Sequence, residues 1–138
     1  MSAMSDYLEA AICNHVLRNT AFTTPGDNVY VGLIKYYDSA VVEAGTLTQE
    51  ASGGAYARQQ VNGTGAWTAP GAAGATSNVA AITFPTATAD WDNISGVIIA
   101  DAASAGNVLL HGSLTTARDV KDGDVFKFNI GDLDITFA

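Results

Sequence analysis

Few residues in this chain have the types and spacing that chemistry requires. The only thiol, Cys13, lies two residues from His15. On a helix that spacing turns the two side chains away from each other, whereas a Cys–His nucleophilic pair needs them in contact. Packing is therefore the expected role for both. His111 falls in a strand-like stretch, and a two-histidine metal site would need further ligands that the sequence does not supply. Two groups of carboxylates stand out: Asp90 and Asp92 around Trp91, and Asp122, Asp124, Asp132 and Asp134 near the end. Oxygen-rich turns can hold calcium, but the Asp-x-Asp-x-Asp-Gly loop with a distal Glu is absent. Turn formation and a solvated acidic surface are the expected roles. Gly63-Thr64-Gly65 lacks the third glycine and the lysine of a phosphate loop, and no Gly-x-Ser-x-Gly elbow occurs. No acid, base and nucleophile converge, so no catalytic residue, metal or cofactor is expected, and the chain reads as a non-enzyme.

Three residues invite a binding role instead. Arg58 follows a glycine turn and is one of only 6 basic residues. It suits either a fork to a partner's carboxylate or an internal ion pair. Tryptophan is enriched at interface centres. Trp91 is expected in the core, and Trp67, in a flexible-looking loop, at an interface. Tyr7, on the first helix, is the third interface candidate.

The elements that position these residues can be read from periodicity. Residues 5–18 repeat apolar positions at helical spacing, with Ser5 or Asp6 as cap and Arg18 near the end, where a cation suits the helix dipole. From residue 28 the pattern changes to alternation and β-branched residues. Strands are expected over 28–37, 56–61, 79–84, 95–101, 108–114, 125–130 and 133–138, with a looser connection at 38–45 and an exposed loop at 62–78. The 95–101 and 108–114 strands should form a hairpin, and Lys121-Asp122-Gly123-Asp124 a tight turn. This predicts one domain over 1–138: an N-terminal α-helix, then a mainly β, antiparallel sandwich or jelly-roll-like barrel. No long repeat of the kind a fibre shaft needs is visible.

Composition limits the partners. The 138 residues carry 14 Asp plus Glu against 6 Lys plus Arg, a net charge of −8, which disfavours nucleic acid and anionic membranes. Charged residues are only 14%, which suits surface covered by association. The opening Met1–Asp6 has no basic residue and no long apolar run, so synthesis in a cytoplasm is expected.

Several stretches carry a family resemblance: Asp6-Tyr7-Leu8 with Asn14-His15-Val16-Leu17; Val29-Tyr30-Val31-Gly32-Leu33; Ser52-Gly53-Gly54-Ala55-Tyr56-Ala57-Arg58; Ile82-Thr83-Phe84-Pro85 through Asp90-Trp91; and Gly106-Asn107-Val108-Leu109-Leu110-His111-Gly112 through Asp124. In this order they resemble short virion proteins of tailed bacteriophages, of the tail-fibre-like or capsid decoration kind. The resemblance implies a β-rich virion component. With the chain's size it favours a capsid decoration (cement) subunit that binds the major capsid protein as a homotrimer or a dimer. The alternative is a tail-fibre or baseplate component contacting host-surface glycan, which would call for an exposed aromatic platform including Trp67 or Tyr56.

Overall fold

The computed structural model describes residues 3–137; Met1, Ser2 and Ala138, the outermost residues of the expected domain and last strand, lie outside the described residues. In chain order the elements are β1 (Ala3–Met4), α1 (Asp6–Arg18), β2 (Tyr30–Lys35), α2 (Ser39–Glu43), β3 (Gln59–Gln60), β4 (Ala75–Ser77), β5 (Ile82–Thr83), β6 (Asp92–Ala100), β7 (Val108–Val120), β8 (Lys127–Phe128) and β9 (Asp134–Thr136). The fold is mainly β and antiparallel, as the alternation predicts. A five-stranded sheet runs β1-β7-β6-β2-β3, and two two-stranded ribbons, β4-β9 and β5-β8, form the second layer.

Strand alternation divides the apolar residues between the two faces of the large sheet. Val31, Leu33, Val97, Ile99 and Leu110 face the ribbons, where Ile82, Phe84, Phe126, Phe128, Leu133 and Ile135 complete the main core. Phe126 and Phe128 meet edge to face at 5.2 Å between centroids, a preferred aromatic geometry. Ile34, Ile98, Ala100 and Val108 point the other way and are covered by Val42 of α2.

Ser5 starts α1 and ties it down. Its Oγ accepts from the Leu8 N–H at 3.3 Å, capping the helix, and donates to the Val108 carbonyl. Leu8 and Ile12 then face the core while Cys13, Val16 and Leu17 remain outside. Cys13 and His15 are both exposed, contrary to the packing role expected of them: Cys13 lies off the stripe through Leu8 and Ile12, and His15, a turn further along that stripe, sets its Nδ1 3.2 Å from the Thr20 carbonyl.

Other departures have local causes. The 38–45 connection contains α2, capped by Asp38, whose Oδ1 accepts from the Ala40 N–H at 3.0 Å. Of the strand expected over 56–61, only Gln59–Gln60 pairs, since Tyr56 and Arg58 turn inward to a polar cluster. The hairpin β6–β7 forms, but β7 runs on to Val120, well past the expected end at 114.

Two glycines are required by close approach. Gly54, at φ +53°, leaves space for Trp91; a Cβ there would lie 2.9 Å from the Trp91 Nε1 and from the Ala89 carbonyl oxygen. Trp91 is buried as expected, its Nε1–H donating to the Gly54 carbonyl at 2.9 Å. At Gly96 the ring of Tyr37 lies across the backbone, 2.4 Å from where a Cβ would stand.

Candidate functional site

Arg58 is the most heavily bonded side chain in the molecule's polar interior. It is 6% exposed. Its Nε and Nη2 donate to the two oxygens of Glu50 at 2.6 and 2.8 Å, a bidentate pair. Nη1 donates to the carbonyls of Ala102 and Ala105 at 2.6 and 3.0 Å. Tyr56 joins the cluster, donating to Glu50 Oε1 at 2.9 Å and accepting from the Leu33 N–H at 2.9 Å. Burial, reinforced by Glu50, pushes the Tyr56 hydroxyl far above its usual range. The cluster fastens the 50–58 segment to the β6–β7 turn across the edge of the sheet. Of the two roles open to Arg58, the internal ion pair is the one present. Its guanidinium is not at the surface for a partner, because folding brings Glu50 to it.

Trp67 is half-buried against the main core, its Nε1–H donating to the Val61 carbonyl at 2.9 Å. The 62–78 loop is itself folded: Thr68 and Val79 N–H groups donate back to Ser77 and Ala66 carbonyls at 2.9 Å each. Buried Asn78 fixes it to the C-terminal segment, bonding the Asn129 carbonyl and the Leu133 N–H at 2.8 and 3.0 Å. Trp67 and Tyr56 are thus both held against the chain's own core and half-buried.

Tyr7 does lie at the surface, and it does so in company. Tyr7, Ala10, Asn14 and Leu17 follow one another at 3-4-3 spacing on the side of α1 turned away from Leu8 and Ile12. Tyr7, Ala10 and Leu17 are exposed, Leu17 at 76%. This is the a/d spacing of a helix that packs on another helix, with a polar Asn at one a position.

Of the carboxylates singled out in the sequence, Asp90, Asp124 and Asp132 serve turns, while Asp92 pairs with Lys35 at 3.4 Å and Asp134 stands on β9 opposite Ser77. Asp124 accepts from the Lys121 N–H at 2.9 Å, and Asp132 from the Asn129 N–H at 2.8 Å. Asp90 accepts from the Asp122 N–H at 3.2 Å and from the Lys121 ammonium at 3.3 Å, which holds its carboxyl below the usual range. No group of three or more His, Cys, Asp or Glu able to hold a metal occurs among the described residues.

Sequence reasoning did not find a cleft beside β7. Between the pairs Ile94–Arg118 and Gly96–Ser113, β6 advances by one residue, Ser95, while β7 advances by four, 114–117. This bulge lifts Leu114, Thr115, Thr116 and Ala117 off the ladder beside the C-terminal segment. A cleft of about 250 Å³ opens there, with Val97, Ile99, Leu110, Phe128, Leu133 and Ile135 in its floor and Ser113, Thr115, Asp132 and Asp134 around it. No Lys or Arg lines it.

Residues 3–136 match the family described as Podophage GP4 fiber I protein gp80. The chain belongs to that family. No curated protein matches it. Membership makes the chain one of a family of phage virion, fibre-like proteins, in line with the resemblance read from its motifs. The family's description names a fibre and not the capsid shell, so it favours the tail-fibre alternative over the decoration reading. Within the gp80 family fold, α1 and the bulged cleft both depend on strand β7: Ser5 docks α1 on it, and its bulge opens the cleft.

Proposed function

We propose that this protein is a non-enzymatic subunit of a phage tail fibre, acting by assembly with copies of itself and with its neighbours in the particle. The match of residues 3–136 to a fibre protein family carries the reading. The exposed stripe of α1 supports the self-association: Tyr7, Ala10 and Leu17 are apolar, and no acidic residue interrupts the Tyr7-Ala10-Asn14-Leu17 line. In a chain of net charge −8 such a neutral face is where copies can approach with least repulsion. Two or three copies joined through α1 would engage their neighbours multivalently, so that modest contacts add up to firm retention. Tyr7 is the interface residue of this reading.

Copy number tests the location. Quantitative mass spectrometry of purified particles, referenced to the major capsid protein, is expected to find a few to a few dozen copies. Hundreds, in fixed ratio to the shell, would instead mean capsid decoration and overturn the fibre reading.

A further inference from the structure

We propose that the cleft beside the β7 bulge receives a lysine side chain from a different protein of the same particle. The floor and the surrounding polar groups set the requirement. Val97, Ile99, Leu110, Phe128, Leu133 and Ile135 keep 4 to 9% exposure, whereas the residues under α2 on the opposite face, such as Ile34, Ile98 and Ala100, are at 0%. The ribbon side of the sheet is thus incompletely covered at this place. The volume of about 250 Å³ is below the 300–1,000 Å³ usual for small-molecule sites and suits one long side chain. Asp132 and Asp134 give the cleft negative charge with no cation lining it, and Ser113 and Thr115 add hydroxyl acceptors. A lysine matches each part: its four-carbon stem covers the floor, and its ammonium, with three rotatable donors, stays among the carboxylates and hydroxyls.

Charge also says where the lysine comes from. The chain has 6 basic residues at a net charge of −8. Five are engaged internally: Arg18 with Asn14, Lys35 with Asp92, Arg58 with Glu50, Lys121 with Asp90, and Arg118 over the Phe126 ring at 5.2 Å. A second copy would therefore bring its own negative charge to this cleft and, among the described residues, only Lys127, exposed on β8, as a basic side chain not already engaged. A neighbour with an exposed lysine on a basic face is the complementary partner. The proposal does not depend on whether the particle carries the chain in its fibre or its shell.

A zero-length carbodiimide cross-link, which joins a carboxylate to an amine in contact with it, tests this in intact purified particles. The expected product joins the Asp132–Ile135 side of the cleft, through Asp134, to a lysine of another virion protein. Particles carrying Asp134→Asn should lose that product while other cross-links persist. Cross-links from Asp134 only to lysines of this chain, or none at all while exposed carboxylates elsewhere react, would overturn the proposal. The isolated protein gives a second readout. Adding N-acetyl-lysine methylamide should shift amide resonances at 113–115 and 132–135 with a millimolar Kd. Asp134→Asn should weaken that Kd about two- to fivefold, the value of an exposed ion pair. An equal response to the norleucine analogue, which keeps the stem and lacks the charge, would sink the ionic part. A response to methyl glucoside in its place would make the cleft a sugar site and overturn the proposal.

Discussion

Replacing Arg58 by Met should be among the most costly single changes in this protein. Methionine keeps most of the aliphatic length but none of the four hydrogen bonds. The carbonyls of Ala102 and Ala105 lie in the half-buried to exposed β6–β7 turn, so water can replace the guanidinium there. Glu50 is the larger problem. Its side chain is 15% exposed and loses its bidentate partner, retaining only the Tyr56 hydroxyl. Breaking a buried ion pair from one side costs about 3–5 kcal/mol, and the residual exposure of Glu50 places this case near the lower end, about 3 kcal/mol. For a chain of this size the melting temperature should fall by about 10–15 °C. Urea unfolding followed by circular dichroism measures the loss directly. The double variant Arg58→Met, Glu50→Gln removes both charges while leaving an amide oxygen for Tyr56. It should recover about half of the loss, because the penalty comes from the orphaned carboxylate and not from the pair's net attraction. A loss under about 1 kcal/mol for Arg58→Met would refute the reasoning. So would a double variant no more stable than the sum of the single changes predicts.

Other outcomes follow from single features. Gly96→Ala should destabilise by about 1–3 kcal/mol by forcing its methyl against the Tyr37 ring, and Tyr37→Leu in the same chain should relieve part of that loss in thermal melts. His111, 2% exposed, is bonded through Nδ1 to the Tyr37 hydroxyl at 2.7 Å and has no partner at Nε2 among the described residues. Burial lowers its pKa against the opposing pull of Glu43, the Met4 backbone and Asp6. The unfolded chain therefore binds the proton first, so the stability due to neutral His111 is complete above about pH 6.5 and is lost below it, as pH falls through the lower folded-state pKa; His111→Gln should flatten that part of the urea midpoint against pH. Leu17→Asp should shift the species seen by light scattering towards monomer with little change in melting temperature, since Leu17 is 76% exposed; an unchanged oligomer would remove α1 from the interface.

What the sequence disclosed was what local chemistry determines. The cap and apolar stripe of α1, the Asp-Gly turn at 122–123, the β6–β7 hairpin and the burial of Trp91 each depend on residues near one another or on bulk alone. What it concealed was pairing over distance. Nothing about Glu50 marks it as the partner of Arg58, because the 50–58 segment meets its carboxylate only after the sheet edge has formed. The 62–78 loop looked free because Gly, Ala and Thr dominate it, yet β4 pairs with β9 some sixty residues later and Asn78 fastens the junction. The helix α2 was hidden by Val41 and Val42, whose β-branched side chains suit strands better, although Asp38 caps it.

The cleft shows how a signal can be present and still be misread. The stretch Leu110 to Val120 loses its alternation at Ser113-Leu114-Thr115-Thr116-Ala117, and a break in alternation is the sequence trace of a bulge. Read as the end of a strand, it predicts a loop; read as a bulge, it predicts that the strand resumes, as it does through Arg118 to Val120. A strand that interrupts its own pairing for four residues and then recovers it gives up ladder hydrogen bonds without ending the sheet. Here the interruption holds Ser113 and Thr115 beside Asp132 and Asp134, over apolar residues that keep 4 to 9% exposure. If the bulge existed only to end the hairpin, straightening it by deleting 114–117 would stabilise the fold and leave assembly intact. If it exists to form the cleft, the same deletion should keep or raise the melting temperature and abolish the cross-link from Asp134.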